Sequence, residues 1–294
     1  MRDSIVIITG ITASGKSELC NNLVKEHLNI SIINCDSKQI YKEIPIITAQ
    51  PPKQGKQYKL YGYVSAKKNY SVSLWVEDLK KEINNALKNS QIPIITGGSG
   101  LYISSLIKGL SPIPQISQEV KRNVSKFKKN LTKEEFYKLV LSKDPKIQGK
   151  IFMNDLYRLS RAFEVVTETG KSIFIWQENR KPPLLNNFKI YTILPKREDV
   201  YQKINSRFIT MVRNGAIDEV KNLLNMNLSQ HLPAMKAHGV PEITKYLRGE
   251  ITLNKAIQIA QTNTRHYAKR QYTWFKTQLP NSKVIKCTEE FSLF

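Results

Sequence analysis

The most restrictive feature of the sequence is the octapeptide GITASGKS at residues 10–17, which directly follows the apolar run IVIIT. It matches the pattern Gly-x4-Gly-Lys-Ser of a phosphate-binding loop, placed as required between a strand and a helix. Gly10 and Gly15 let the chain curl so that backbone N–H groups face phosphate oxygens, and the helix N-terminus adds partial positive charge. Lys16 is expected to neutralise the terminal phosphate, and Ser17 to ligate Mg²⁺. The motif leaves open whether ATP, GTP or another phosphorylated substrate is bound, and a Gly-rich turn without a ligand is the alternative.

The apolar pattern of the chain predicts a parallel sheet. Runs at 5–9, 30–35 and 92–96 are short and almost continuously apolar, which indicates strands buried on both faces. Helical patterns lie between them, and further strands are predicted at 188–195 and 282–287. This alternation predicts an α/β fold with a doubly wound parallel sheet of the P-loop type.

The middle of the chain departs from this alternation. Between about residues 115 and 175 the sequence shows amphipathic helical patterns and no convincing strand, and Gly170 is expected to end the last helix. SPIPQ and ENRKPPLLNN flank the region and are typical of linkers. We therefore expect a catalytic core formed by residues 1–114 and 178–294, with a helical insertion domain at 115–177.

Charge and cysteine content narrow the class of protein. The 46 Lys and Arg residues outnumber the 24 Asp and Glu residues, for a formal net charge of +22. Such a field favours polyanionic partners, nucleic acid above all, although a compositional bias of the genome is an alternative source of lysine. Three widely spaced cysteines suggest neither a metal site nor a disulfide framework, so a cytoplasmic protein is expected. No run approaches the ~20 apolar residues of a membrane span.

Two further motifs follow predicted strands. Asp36 comes directly after the second strand, at the carboxyl end where open sheets bind ligands. By itself it could equally be a helix cap or a Mg²⁺ ligand. GGSG at 97–100 follows the third strand, and its glycines leave room for close backbone approach while Ser99 offers a hydroxyl. Taken alone, this segment could be only a flexible turn.

Six segments in a fixed order resemble one family. GITASGKS, DSKQIY, GGSGLY, NDLYRLSRAFEV, PKREDVYQKINSRF and TRHYAKRQYTWF occur as they do in tRNA dimethylallyltransferases of the bacterial type, over residues 5 to about 275. The resemblance implies that the loop holds the diphosphate of dimethylallyl diphosphate, with Mg²⁺ assisting its departure. It also implies transfer of the dimethylallyl group to N6 of the adenosine 3′ of the anticodon, in tRNAs that read codons beginning with U.

The resemblance assigns roles to individual residues. Asp36 would accept the proton of the adenine amine as that amine attacks. Ser99 and Arg207 would act with Lys16 on the leaving diphosphate. Without the resemblance, Arg207 would be interpreted as a solvated charge. The implied diphosphate contacts are Gly10, Ile11, Thr12, Ala13, Ser14, Gly15, Lys16 and Ser17.

The resemblance also implies an RNA partner for the basic residues of the predicted helices, because in this family the insertion and the C-terminal helix contact the anticodon stem-loop. Solvated helix faces would account for many of these charges without RNA. A monomer that binds one stem-loop is the simplest assembly. The implied tRNA contacts are Asp36, Ser37, Lys38, Gln39, Ser99, Arg122, Tyr157, Arg158, Arg161, His238, Arg265, Lys269 and Arg270.

Three segments depart from the family pattern. Ile44–Pro52 stands where an Asp-Ile-Gly-Thr core is common, although Thr48 remains; Tyr58–Ala66 replaces a His-rich segment; and AHGVPE at 237–242 replaces an Ile-Gly-Tyr type. The tRNA contacts of these segments are therefore left open.

Two other classes of protein compete with this interpretation. A nucleotide or metabolite kinase shares the loop and the α/β core, and the basic insertion could imitate its lid, but TRHYAKRQYTWF has no role in such an enzyme. An RNA-binding protein with a vestigial loop is the second, and the intact Lys16, Ser17 and Asp36 argue against it.

Overall fold

A computed structural model describes residues 5–51 and 56–293 of the chain. Residues 1–4 of the predicted core, and Pro52 at the end of a divergent segment, lie outside the described residues. The described chain forms two compact units. One contains the residues up to Ile107 and those from Leu185 onward, and the other is Lys108–Leu184, which encloses the predicted insertion.

The first unit is built on a wholly parallel sheet, as predicted. Its order is β3-β2-β4-β1-β5-β6. Strand β1 is central, and Ile7 pairs with Ile95 on one side and Ile190 on the other. The two-residue β3 was not predicted, because so short a strand has no periodicity. The strands are β1 (Ile5–Gly10), β2 (Ile30–Asn34), β3 (Tyr58–Lys59), β4 (Ile92–Gly97), β5 (Phe188–Ile193) and β6 (Lys283–Ile285).

Most helices lie where the sequence shows helical patterns, but Gly100–Lys108, Ile173–Glu178 and Val240–Leu247 were not predicted. The backbone between the helices Arg197–Met211 and Ile217–Asn225 turns at Gly215, where φ is +99°. No helix among the described residues is long and apolar enough to cross a membrane. Helices α1 to α11 are, in order, Lys16–Glu26, Val72–Lys88, Gly100–Lys108, Gln118–Asn130, Lys133–Lys143, Leu156–Thr169, Ile173–Glu178, Arg197–Met211, Ile217–Asn225, Val240–Leu247 and Leu253–Gln278.

The second unit is helical, with α4 to α7 around a small core that includes Phe136, Val140 and Phe163. Thr132 separates α4 from α5. Its side chain accepts from the Glu135 N–H while the Glu135 carboxylate accepts from the Thr132 N–H, a capping box that starts a new helix. Gly170, with φ +67°, ends α6 as predicted.

The chain segments that lead into and out of the insertion are hydrogen-bonded to each other. Within the second unit, the Lys181 N–H donates to the Leu110 carbonyl at 2.9 Å. Gly109 has φ +77°, and a Cβ there would collide with the Lys181 carbonyl oxygen. Within the first unit, the Leu185 N–H donates to the Leu106 carbonyl at 3.3 Å.

The second half of the first unit packs helices α8 to α11 against the segment that follows β2. Phe208 and Met211 on α8 join Ile47 in one buried cluster. The Glu219 carboxylate on α9 accepts from the N–H groups of Ile46 and Ile47 at 2.7 and 2.8 Å. These bonds fix the divergent segment 44–51 in place, since buried backbone donors need partners.

Candidate active site

The phosphate loop, Gly10–Ser17, has the backbone that its glycines predict. A Cβ at Gly10 would lie 2.5 Å from the Ile193 carbonyl oxygen, so β5 approaches the loop too closely for a side chain. Gly15 has φ +96° and precedes α1, a conformation that glycine adopts without strain. The first N–H groups of α1 therefore open towards any anion held by the loop, and Ser17 lies in this first turn.

Lys16 lies over the loop with its ammonium bound to backbone oxygens. Its Nζ donates to the carbonyls of Gly10 and Ile11 at 2.9 and 2.7 Å, and to Ser14 Oγ at 3.3 Å. Burial lowers the pKa of Lys16 to about 8, while the Asp36 carboxylate acts in the opposite direction. A diphosphate would restore the full charge of this lysine, because a nearby anion favours the ammonium form.

Asp36 lies at the carboxyl end of β2, in a turn fixed by several hydrogen bonds. The Asp36 N–H donates to Asn34 Oδ1 at 2.8 Å, and the Lys38 N–H donates to Asp36 Oδ1 at 2.9 Å. Trp75, fully buried, donates from its indole to the Asn34 carbonyl at 3.0 Å. The position of the carboxylate is therefore set by the core behind it.

The GGSG segment at the end of β4 lies beside this turn. A Cβ at Gly97 would collide with the Cys35 carbonyl group, which explains why glycine is needed there. Ser99 Oγ accepts from the Ser37 N–H at 2.9 Å. The motifs predicted to meet at the carboxyl edge of the sheet are thus joined by hydrogen bonds.

Arg207 reaches the phosphate loop from α8. Its Nη2 donates to Thr12 Oγ1 at 2.7 Å. Burial lowers the pKa of the guanidinium, and Asp36 acts in the opposite direction. The guanidinium is therefore a buried cation beside the phosphate loop, where it faces the position of an anion on that loop.

Gln271, on α11, was not identified from the sequence. Its Oε1 accepts from the Thr12 N–H at 2.8 Å, and its Nε2 donates to the Gly98 carbonyl at 2.8 Å. The only sequence signal for it is its presence in the segment TRHYAKRQYTWF, whose basic residues were interpreted as contacts to tRNA.

A cavity of about 260 Å³, the pocket, is lined by Thr12 of the phosphate loop, Asp36 and Arg207. Its lining combines such polar groups with apolar side chains, here called the apolar wall, most of which come from α8. The wall was not predicted, because its members look like ordinary core residues. The polar lining is Thr12, Asp36, Ser37, Lys38, Thr48, Arg207, His238, Thr264 and Tyr267, and the apolar lining is Ile47, Ile204, Phe208, Met211 and Ala237.

Lys38, Gln39 and His238 were predicted to contact tRNA, and all three make contacts within the protein. Lys38 Nζ donates to the Pro233 carbonyl at 2.8 Å, and burial lowers its pKa to about 8. The Gln39 amide donates to the Thr48 and Ala49 carbonyls, both at 2.9 Å. The His238 ring lies 4.9 Å from that of Tyr267, and burial lowers the pKa of the imidazole.

The basic residues of α11 divide into two groups. Arg265 is bound to the protein, since Nη1 donates to Asn205 Oδ1 at 2.7 Å and Nη2 to Thr262 Oγ1 at 2.8 Å. Lys269 and Arg270 are exposed. Only the second group has the solvent access expected of residues that contact phosphates.

The predicted tRNA contacts of the second unit are mostly at its surface. Arg122, Tyr157 and Arg158 are exposed, with Tyr157 80% accessible. Arg158 pairs with Asp155 at 3.4 Å. Arg161 is partly buried and pairs with Glu164 at 3.1 Å. The exposed pair of Arg158 contributes little to stability, so this arginine is available to another anion.

Fold and pocket together define an α/β protein of the P-loop class. A family model described as IPP transferase matches residues 39–278, and the chain belongs to this family. The family is one of transferases, so the chain is an enzyme.

Relatives and solved structures agree with this assignment. The tRNA dimethylallyltransferase of Wolbachia pipientis subsp. Culex pipiens (strain wPip) is 80% identical, over 100% of this chain and 99% of the relative. That of Ehrlichia canis (strain Jake) is 52% identical, over 97% and 96%. A tRNA isopentenylpyrophosphate transferase from Bacillus halodurans is 28% identical with a TM-score of 0.68, covering 97% of this chain and 90% of that one. A eukaryotic dimethylallyltransferase acting on tRNA is 25% identical with a TM-score of 0.79, covering 97% and 74%.

Proposed function

We propose that the chain transfers the dimethylallyl group of dimethylallyl diphosphate to N6 of the adenosine 3′ of the anticodon, in tRNAs that read codons beginning with U, and releases diphosphate. The observation that carries this proposal is the pocket, in which an anion-binding loop, a carboxylate and an apolar wall line one cavity. Membership of the IPP transferase family favours a prenyl group as the apolar part of the substrate. An allylic diphosphate has both an anionic and an apolar part.

The diphosphate is held by the phosphate loop. As the allylic C–O bond breaks, negative charge develops on the oxygen that joined carbon to phosphorus and spreads over the diphosphate; preorganised donors facing this charge lower the barrier. Lys16, Arg207 and the N–H groups at the start of α1 supply those donors. Ser99 supports the neighbouring turn that carries Asp36, through its bond from the Ser37 N–H.

Asp36 acts on the acceptor. The adenine N6 lone pair is delocalised into the ring, so the amine attacks the allylic carbon effectively only as its proton is withdrawn. The Asp36 carboxylate accepts this proton as the new N–C bond forms. The base must leave its stack to reach the pocket, as enzymes that modify bases require. The fixed turn around Asp36 keeps the carboxylate in place for that arrival.

The residues present fit Mg²⁺ only as a companion of the diphosphate. Among residues 5–51 and 56–293 no group of three or more His, Cys, Asp or Glu side chains could hold a metal ion. Mg²⁺ commonly binds through substrate phosphates and waters with one or two protein ligands, and the Ser17 hydroxyl supplies one. When bound, the ion stabilises the charge of the departing diphosphate.

We further propose that the protein works as a cytoplasmic monomer on the anticodon stem-loop. The formal net charge of +22 supports an RNA substrate, because phosphate neutralisation supplies most of the affinity in such complexes. Lys269, Arg270, Arg122 and Arg158 are exposed basic residues suited to phosphate contacts.

A transfer assay tests the proposal. Radiolabelled dimethylallyl diphosphate is incubated with Mg²⁺, unmodified tRNA and the wild-type protein, with ATP tested in parallel. Label on an adenosine beside the anticodon is the expected result. Absence of label together with γ-phosphate transfer from ATP would overturn the proposal in favour of a kinase.

A further inference from the structure

Gln271 is the one side chain of α11 that hydrogen-bonds both ligand-facing loops. Its Oε1 accepts a hydrogen bond from the Thr12 N–H of the phosphate loop, and its Nε2 donates one to the Gly98 carbonyl of the GGSG segment, each at 2.8 Å. The two partners lie 259 and 173 residues away in the chain. The residue is 6% exposed, so water does not compete strongly for either bond.

The surroundings of Gln271 leave its carboxamide little freedom. A Cβ at Gly98 would lie 2.5 Å from Nε2, so the absence of a side chain there makes room for the amide. On the other side, Thr12 is also fixed by the bond from Arg207 to its hydroxyl. Thr12 is therefore fixed twice, at its N–H by Gln271 and at its hydroxyl by Arg207.

The consequence concerns the alignment of two loops. The phosphate loop positions the diphosphate, while the GGSG segment positions Ser99 and, through Ser37, the turn that carries Asp36. Attack at an allylic carbon requires the leaving oxygen and the base to be aligned to within fractions of an ångström, and small misplacement costs rate. A single amide that bonds both loops fixes this alignment.

We propose that Gln271 is a positioning residue, whose carboxamide holds the phosphate loop in register with the GGSG segment and so aligns the allylic diphosphate with Asp36. This inference rests on the proposed transfer reaction. Gln271 is not among the residues that line the pocket, so it acts through the two loops and does not touch the reacting atoms.

Two substitutions test the proposal from opposite sides of the contact. Gln271→Met keeps the length of the side chain and removes both bonds. Gly98→Ala places a methyl group against Nε2 and disturbs the amide without changing α11. The matched control is Gln261→Met on the same helix, because Gln261 donates one bond to the Asn205 carbonyl at 3.0 Å and does not touch either loop.

The measurements are kcat and KM for each substrate, with thermal unfolding recorded beside them. Gln271→Met and Gly98→Ala are expected to lower kcat/KM for dimethylallyl diphosphate about 10- to 100-fold while KM for tRNA stays within twofold of wild type. Gln261→Met is expected to leave both unchanged. Combined with Gln271→Ala, which vacates the contact, Gly98→Ala should cost much less than it does alone.

The outcomes separate this inference from the proposed function. If the wild-type protein transfers the dimethylallyl group and Gln271→Met matches Gln261→Met, the positioning role is wrong while the reaction stands. If the losses of kcat/KM caused by Gly98→Ala and Gln271→Ala add fully in the double variant, the two residues do not act through one contact and the inference is wrong. If the wild-type protein transfers no label to tRNA, the proposed function fails before Gln271 is tested.

Discussion

Replacing Arg207 by glutamine should separate activity from stability. In the folded protein Nη2 of Arg207 donates to Thr12 Oγ1 at 2.7 Å, and the guanidinium faces the anion position on the loop. A hydrogen bond from a charged group contributes about 1.5–3 kcal/mol. If that interaction is made to the diphosphate in the transition state, its loss lowers kcat/KM by about 10- to 160-fold, since ~1.4 kcal/mol corresponds to a factor of ten.

The thermal stability of Arg207→Gln should change little although its activity falls. Burial lowers the pKa of Arg207, which means that the charged form is held at a cost. Among the residues that the structure describes, no carboxylate forms an ion pair with it. A neutral amide removes the cost of keeping a charge out of water. This gain opposes the loss of the hydrogen bond to Thr12 Oγ1, so the midpoint of thermal unfolding should stay close to that of the wild-type protein.

The assay is steady-state transfer of labelled dimethylallyl groups to tRNA, with calorimetric unfolding of the same samples. Arg213→Gln, an exposed arginine beyond the end of α8, is the matched control and should behave as wild type. The reasoning is refuted if Arg207→Gln retains kcat/KM within twofold of this control, or if its loss of activity is accompanied by an equal loss of stability.

Three further changes test other parts of the site. Asp36→Asn should lower kcat by about 10²–10⁴ while pyrophosphate binding is kept, because only proton acceptance is lost; single-turnover rates and calorimetric titration measure the two. Glu219→Leu leaves the N–H groups of Ile46 and Ile47 without partners and should lower the free energy of unfolding by about 2–4 kcal/mol in urea titrations; an unchanged midpoint would contradict this. Since the pKa of Lys16 is lowered to about 8, raising the pH through 8 removes its charge in the free protein. The affinity for pyrophosphate should then fall up to tenfold per pH unit above pH 8, and Lys16→Met should abolish this pH dependence.

The parts of the site that could be predicted are those that follow strands. In a parallel sheet the carboxyl ends lie along one edge, so a loop after β1, Asp36 after β2 and Ser99 after β4 must come near each other. Local sequence carries this information, because each residue is placed by the strand just before it. The roles of these residues needed more than position, and came from the resemblance of six ordered segments.

The parts that could not be predicted depend on contacts between distant segments. Gln271 bonds backbone atoms, which every residue type has, so the sequence does not identify its partners. Its neighbours on α11 are basic and were interpreted as contacts to RNA. Ile47 and Phe208 line the pocket, yet an apolar residue on a helix or in a turn is most often simply core. Arg207 has the pattern of a solvated residue and becomes functional only because α8 packs beside the phosphate loop.

The paired ends of the helical unit make it a cassette in the protein-engineering sense. Leu106 and Leu185 are hydrogen-bonded neighbours, so a turn of a few residues would join β4 and α3 to the chain leading into β5 without disturbing the sheet. The same geometry permits exchange, because a different module could be inserted at this point while the pocket, built wholly from residues of the first unit, keeps its chemistry.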